Sequence, residues 1–221
     1  MFFPWKEVLA ALKKNPRVCF LPNPNSPTGN LLTAPELRRL FKAANAKRTA
    51  VVVDEAYFEF SGVTVIPWIA RYKNLIVTRT FSKTAGLAGL RLGCIFTNQE
   101  LAAAMRKAQS PYPVNAAALV AVEAAMRDRK FIARTVSEVQ RSHKDLQRGL
   151  TALGVQYFPS AGNFVLAKFG PRAKQFVAAL NRKGILVRDR SSDFGGEGYV
   201  RITLGTPPQT KRLLRELKEL L

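Results

Sequence analysis

Histidine, cysteine and acidic residues are scarce in this chain of 221 residues, which holds one histidine, two cysteines and 15 Asp plus Glu. Cys19 and Cys94 both lie in apolar runs that read as strands, so they are expected as buried small hydrophobes rather than as a disulfide or a metal pair, and no metal site is expected. The lone histidine, His143, matches no motif and reads as a surface residue of a helix. No run approaches the roughly 20 apolar residues of a membrane span. Met1–Val8 lacks the basic start and apolar core of a signal peptide, so a soluble, unprocessed, cytoplasmic chain with no membrane partner is expected. Internal repeats and low-complexity tracts are absent as well.

Against the few acids stand 35 Lys plus Arg, a formal net charge of +20. Such a field attracts nucleic acid, anionic surfaces or phosphorylated small molecules. Its distribution narrows the choice. Arg38, Arg39, Lys42, Lys47 and Arg48, and likewise Arg127, Arg129, Lys130 and Arg134, scatter over helix-like segments without aromatics set between them. No helix-turn-helix, zinc or RNA-binding signature accompanies them, so a solvated basic surface is the reading and a nucleic-acid partner is not expected.

With 47% hydrophobic residues the chain has ordinary globular composition. Three apolar, β-branched runs, Arg17–Leu21, Ala50–Val53 and Asn74–Thr78, alternate with helical patterns such as Pro35–Ala46, which is the signature of an α/β fold with a parallel sheet. A fourth strand is expected at Leu92–Thr97, then a long helical stretch over 114–153 interrupted only at Gly149. Beyond it, strands at Phe164–Phe169, Ile185–Arg188 and Tyr199–Leu204 alternate with helices at Arg172–Lys183 and Pro208–Leu221, a small α+β domain. Three regions follow: a partial large domain over 1–113, a connecting helical segment over 114–153, and a small domain over 154–221.

Ligands of open α/β sheets bind outside the carboxyl ends of the strands, which directs attention to Asn23–Thr28, Asp54–Tyr57 and Thr80–Lys83. Lys83 directly follows a strand and precedes a Gly-rich turn, where it can project into a site. Thr80 and Ser82 share a face, and with Arg91 eight residues beyond Lys83 they make a suitable phosphate clamp. Asp54 follows three valines at the end of a buried strand, where a carboxylate needs a partner such as a pyridinium nitrogen. Asn25 and Tyr57 could hydrogen-bond a phenolic oxygen on the same ring. Taken singly, Asp54 also fits a cap or turn residue, NPNSPTG a turn, and Lys83 and Arg91 ordinary surface cations. Their order at successive strand ends is what points to one site.

Those segments, NPNSPTG, DEAYFEF and RTFSKTAGLAGLRLG, resemble the signatures of fold-type I pyridoxal-phosphate (PLP)-dependent class I/II aminotransferases. With PSAGNFVLAKF, GILVRDR and YVRITLGT further on, nearly the whole chain is similar to the histidinol-phosphate aminotransferase family. The resemblance implies a partial PLP-transferase fold of the aspartate-aminotransferase type. It implies PLP as cofactor, held covalently by Lys83, with Asp54 on the pyridine nitrogen, Asn25 and Tyr57 on the phenolic oxygen, and Thr80, Ser82 and Arg91 on the phosphate. It assigns the substrate carboxylate to Arg201, the substrate phosphate to Arg188 and a pocket-lining place to Asn163. Strand-end ion pairs for the two arginines and a turn for Asn163 stay open.

The implied reaction is transamination between histidinol phosphate and 2-oxoglutarate, in a homodimer. The resemblance begins partway along the family pattern, so the glycine-rich phosphate contact and ring-stacking aromatic that the family carries before Phe2 are expected to be missing. Four neighbouring strands of the family's seven-stranded sheet are expected, with open flanks. Decarboxylation of threonine phosphate, aromatic-amino-acid transamination, or a non-enzymatic ligand-sensing domain of a transcription regulator are the alternatives.

Overall fold

The computed structural model describes residues 3–44, 48–196 and 198–221. Lys47 and the end of the helix expected over Pro35–Ala46 therefore lie outside the described residues. The chain packs as two units, one of Phe2–Pro24 with Leu31–Ala133 and the other of Asn25–Asn30 with Arg134–Leu221.

In the first unit, β1 (Val18–Pro22), β2 (Ala50–Asp54), β3 (Leu75–Thr80) and β4 (Gly93–Thr97) form one sheet in the order β1-β2-β3-β4. The first three strands run parallel and β4 returns antiparallel to β3. Valines at 51–53 suit this place, because a central parallel strand is buried on both faces and reads as a continuous β-branched run. Leu21, Val51, Val53, Leu75 and Val77 line one face. Against that core pack Leu12 of α1 (Trp5–Lys13) and Leu37, Leu40 and Phe41 of α2 (Ala34–Ala43). The start of α2 is set locally: the Thr33 amide and hydroxyl both donate to Glu36 Oε2, at 2.8 and 2.7 Å, and Pro35 lies in the first turn. The same contacts hold the Glu36 carboxyl below its ordinary range.

On the opposite face Val52 and Ile76 are buried, while the flanking strands leave Phe20 76% and Ile95 56% exposed. Cys19 and Cys94 lie on these flanking strands and are free and half-buried, a correction to the buried state expected of them. What burial they have still raises both thiols above the usual range. A short α3 (Phe58–Ser61) follows β2, and α4 (Gln99–Ala108) and α5 (Ala116–Arg127) follow β4. Asn98 and Asn115 cap the last two, accepting from the Leu101 and Ala118 amides.

The second unit contains a four-stranded antiparallel sheet in the order β5-β6-β8-β7, built from β5 (Gln156–Phe158), β6 (Phe164–Lys168), β7 (Arg188–Asp189) and β8 (Tyr199–Thr203). Val165, Ala167, Val200 and Ile202 face Leu146 and Leu150 of α6 (Arg129–Ala152), Leu180 of α7 (Ala173–Arg182) and Leu213 and Leu217 of α8 (Pro207–Leu220).

The single helix expected over 114–153 is two helices. Asp128 ends α5, and its Oδ1 accepts from the Phe131 amide at 2.9 Å, starting α6. Gly149 is no interruption. A Cβ there would stand 2.3 Å from a Leu214 methyl, so glycine is what lets α8 lie close against α6. The division between the units falls at Arg134, inside α6, because the later turns of α6 carry Leu146 and Leu150 into the second core.

His143 is half-buried, with Nε2 shielded and without a hydrogen-bond partner among the described residues, which corrects the expectation of a surface histidine. Burial lowers its pKa below the ordinary 6.5. An imidazole depressed in the folded state leaves stability unaffected at pH values above 6.5 and lowers it as pH falls through that value, because the unfolded chain then binds the proton more readily. Urea titrations from pH 7.5 to 5 should therefore show a smaller loss of stability for His143→Gln than for the wild type.

Gly93 fixes the spacing at the end of β3. A Cβ at this position would lie 2.8 Å from the Arg79 carbonyl oxygen and 3.9 Å from Thr80 Cα. Gly93→Ala is expected to cost about 1–3 kcal/mol in equilibrium unfolding by pushing β4 away from β3; an unchanged denaturation midpoint would show that the strands can part without loss.

Candidate active site

Six of the predicted residues, Asp54, Tyr57, Thr80, Ser82, Lys83 and Arg91, belong to the first unit, at or just beyond the carboxyl ends of β2 and β3. Parallel register places Asp54 beside Thr78. The Thr78 hydroxyl donates to Asp54 Oδ1 at 2.9 Å and the Ala56 amide to the same oxygen at 3.2 Å. Among the described residues Oδ2 accepts no hydrogen bond, so one carboxylate oxygen stays available while the other is fixed. Asp54 is exposed, which corrects the premise of a carboxylate buried at the strand end. The buried acid is its neighbour Glu55, 2% exposed, because alternate residues of a strand face opposite sides and the core lies on the Glu55 side.

Beyond β3, the Thr80 hydroxyl donates to Ser82 Oγ at 2.9 Å and accepts from the Ser82 amide at 3.1 Å, so the two hydroxyls lie together. Lys83 is half-buried, and its Nζ stands 5.2 Å from the centroid of the Tyr57 ring. Arg91 takes a left-handed backbone, φ 56°, and its Nη1 donates to the Ala88 carbonyl at 2.8 Å. That bond leaves most of the exposed guanidinium fork available for an anion. A carboxylate with one free oxygen, a hydroxyl pair, a guanidinium and a lysine make a donor set suited to a phosphorylated pyridine with an aldehyde.

The other four, Asn25, Asn163, Arg188 and Arg201, belong to the second unit. Asn25 closes the 25–30 loop: its amide donates to Asn30 O at 2.8 Å, its Nδ2 to Thr28 Oγ1 at 2.7 Å, and its carbonyl accepts from Gly29. Arg201, on β8, donates from Nη1 to Ser26 Oγ at 3.1 Å and stacks 5.6 Å from the Phe164 ring. Its Nε is buried without a partner. The Asn163 carbonyl accepts from Leu204 at 2.8 Å, at the start of β6 beside the end of β8.

Arg188 lies directly across from Arg201 in the β7–β8 pairing. Facing like charges destabilise a sheet unless something anionic sits between them, and neither arginine has an acidic partner among the described residues. The ion pairs left open for these arginines by the sequence are thus not formed among the described residues.

Sequence reasoning passed over Thr78, Glu55, Arg79, Thr64 and Ser26. Thr78 and Glu55 are i and i+1 neighbours of noted positions in register and could have been found by pairing the two strands; Ser26 meets Arg201 across 175 positions and carries no local signal. Among the described residues no group of three or more His, Cys, Asp or Glu could hold a metal ion, and no helix is long and apolar enough to cross a membrane.

The family model described as aminotransferase class I and II matches residues 3–217, and the chain belongs to that family. Histidinol-phosphate aminotransferase 1 of Carboxydothermus hydrogenoformans is 37% identical over 209 residues, covering 95% of this chain and 58% of that protein. The crystal structure of histidinol-phosphate aminotransferase from Sinorhizobium meliloti in complex with pyridoxal-5'-phosphate superposes with a TM-score of 0.84 at 26% identity, over 96% of this chain and 61% of that one. L-threonine-O-3-phosphate decarboxylase from Porphyromonas gingivalis gives 0.79 at 29% identity, over 92% and 64%. The chain therefore spans about 58% of the length of its curated relative, and its α/β architecture is the fold-type I PLP-transferase fold in part, as the sequence led us to expect.

The facing arginines yield a prediction of their own. In phosphate-free buffer at low ionic strength Arg188→Gln should stabilise the protein by about 0.2–1 kcal/mol, and added inorganic phosphate should raise the melting temperature of the wild type more than that of the variant. Equal responses would count against an anion seat at this pair.

Proposed function

We propose that this chain is the cofactor-holding part of a PLP-dependent aminotransferase that transfers the amino group of histidinol phosphate to 2-oxoglutarate. The observation that carries the reading is the placement of Lys83 Nζ beside the Tyr57 ring, at the end of the strand paired to the one that ends in Asp54. When bound, PLP supplies an electron sink for the carbon next to the substrate amine.

In this reading Lys83 would hold the cofactor covalently, and its amine would move the proton at the substrate carbon next to the amine. Asp54 Oδ2 would accept from the protonated ring nitrogen, while the Thr78 hydroxyl and the Ala56 amide hold the carboxylate through Oδ1. Thr80, Ser82 and Arg91 hold the cofactor phosphate by charge-assisted bonds. Tyr57 would serve the phenolic oxygen. In the second unit Arg201 takes a substrate carboxylate, Arg188 the substrate phosphate, and Asn163 lines the pocket. Residues 1–113 then correspond to part of the large domain, 114–153 to the connecting helical segment and 154–221 to the small domain. The complete enzyme works as a homodimer in the cytoplasm.

The test is reconstitution with PLP. The wild-type chain should gain the band of lysine-bound PLP near about 420 nm and, after borohydride reduction and digestion, a single pyridoxyl-modified peptide containing Lys83. Lys83→Ala should lose both. Modification of the variant at another lysine to the same extent would overturn the assignment.

A further inference from the structure

Tyr57 sits in a turn whose two ends are both held by one residue of β3. On one side is Glu55, whose buried carboxylate accepts from Arg79 Nε at 3.0 Å and Nη2 at 2.8 Å, from the Thr64 hydroxyl at 2.8 Å and from the Val65 amide at 2.6 Å. On the other side is Phe58, whose ring centroid lies 3.5 Å from the Arg79 guanidinium carbon. The turn is closed by the Phe58 amide, which donates to the Glu55 carbonyl at 3.0 Å. Arg79 also donates to Thr64 Oγ1 at 2.8 Å, and a second ring, Phe96 of β4, lies 5.7 Å from it. A guanidinium is a planar fork, so two bonds to one carboxylate and a ring against its face fix its orientation as well as its position.

Well-packed apolar residues would stabilise such a place as well as a buried ion pair does. What the pair adds here is direction. Arg79 and Lys83 are four residues apart on the same segment, and Arg79 grips the residues on both sides of Tyr57. The strand that presents the lysine therefore also sets the height of the tyrosine. Glu59, in the same cluster, has its carboxyl raised by burial, against the pull of its own backbone and of Arg79.

We propose that Glu55 and Arg79 are positioning residues for the cofactor site: they lock the turn after β2 onto β3 so that the Tyr57 hydroxyl keeps its aim relative to Lys83. The proposal rests on the functional reading above and assigns neither residue a contact with the cofactor. It is tested in the full chain with Glu55→Gln, Arg79→Lys and Thr64→Val, each loaded with PLP and titrated with pH while the band near about 420 nm is followed; the far-ultraviolet circular dichroism of each is recorded beside it.

Arg79→Lys keeps the charge and loses the fork, and Thr64→Val removes one donor to Glu55 while sparing the ion pair. All three should keep the wild-type circular dichroism and shift the spectral midpoint by at least about half a pH unit, since that midpoint depends on the hydrogen bond to the phenolic oxygen. Hydrogen exchange at the amides of 56–60 should accelerate in the same variants. Folded variants with the wild-type midpoint overturn the proposal, and should Glu55→Gln fail to fold, the other two decide. A wild-type chain that takes up no PLP overturns the functional reading and this proposal together; a loaded wild type with unshifted variants overturns this proposal alone.

Discussion

Everything at the candidate cofactor site depends on the parallel register of β2 on β3. The pairing of Val51 with Leu75 continues to Asp54 with Thr78, and one step further the Glu55 amide donates to the Thr78 carbonyl. Because side chains alternate, that single register places Asp54 and Thr78 together on one face and Glu55 and Arg79 together on the other. A slip of one residue would exchange the two pairs and present the wrong acid. Such a slip would also turn Val51 and Val53 away from Leu21, Leu75 and Val77, with which they form the core of this unit. Removing one partner of a buried pair such as Glu55 and Arg79 costs about 3–5 kcal/mol, so the second face also resists the slip.

How much of this was legible in the sequence follows from how local each signal is. The strands of the first sheet could be read because their apolar runs are continuous and β-branched, and α2 because Thr33, Pro35 and Glu36 mark its start within four residues. The order of the chemical residues could be read because each sits at a strand end. By contrast, α1 spaces Trp5, Val8, Leu9 and Leu12 in helical fashion over only nine residues, too short a stretch to stand out. The break at Asp128 is hidden between two strong helical patterns and becomes visible only through the bond to the Phe131 amide. Asp54 and Glu55 are adjacent carboxylates, and composition gives no means of telling which one faces the core. That distinction is tertiary, made by where α1 and α2 pack. The same holds for the 25–30 loop, which joins the second unit through the Ser26–Arg201 and Gly29–Ala161 bonds across more than a hundred positions.

The scarcity of acids gives the second unit its electrostatic character. With a net charge of +20, cations far outnumber the carboxylates that could neutralise them. The acids nearest Arg188 in sequence are already engaged: Asp189 accepts from the Ser191 amide and hydroxyl, which holds its carboxyl below the ordinary range, and Asp193 pairs with Arg190 at 2.6 Å. Further along, Glu216 and Glu219 are drawn to Lys183. At physiological salt the distant surface cations are screened beyond about 8 Å, so they add little to a particular site. The exposed Arg188 faces Arg201 across the strands, and the latter has a buried Nε that nothing among the described residues satisfies. Among the described residues the acids nearest Arg188 in sequence are thus committed to other partners, and a carboxylate introduced next to Arg201 should neutralise the pair more effectively than removing surface lysines.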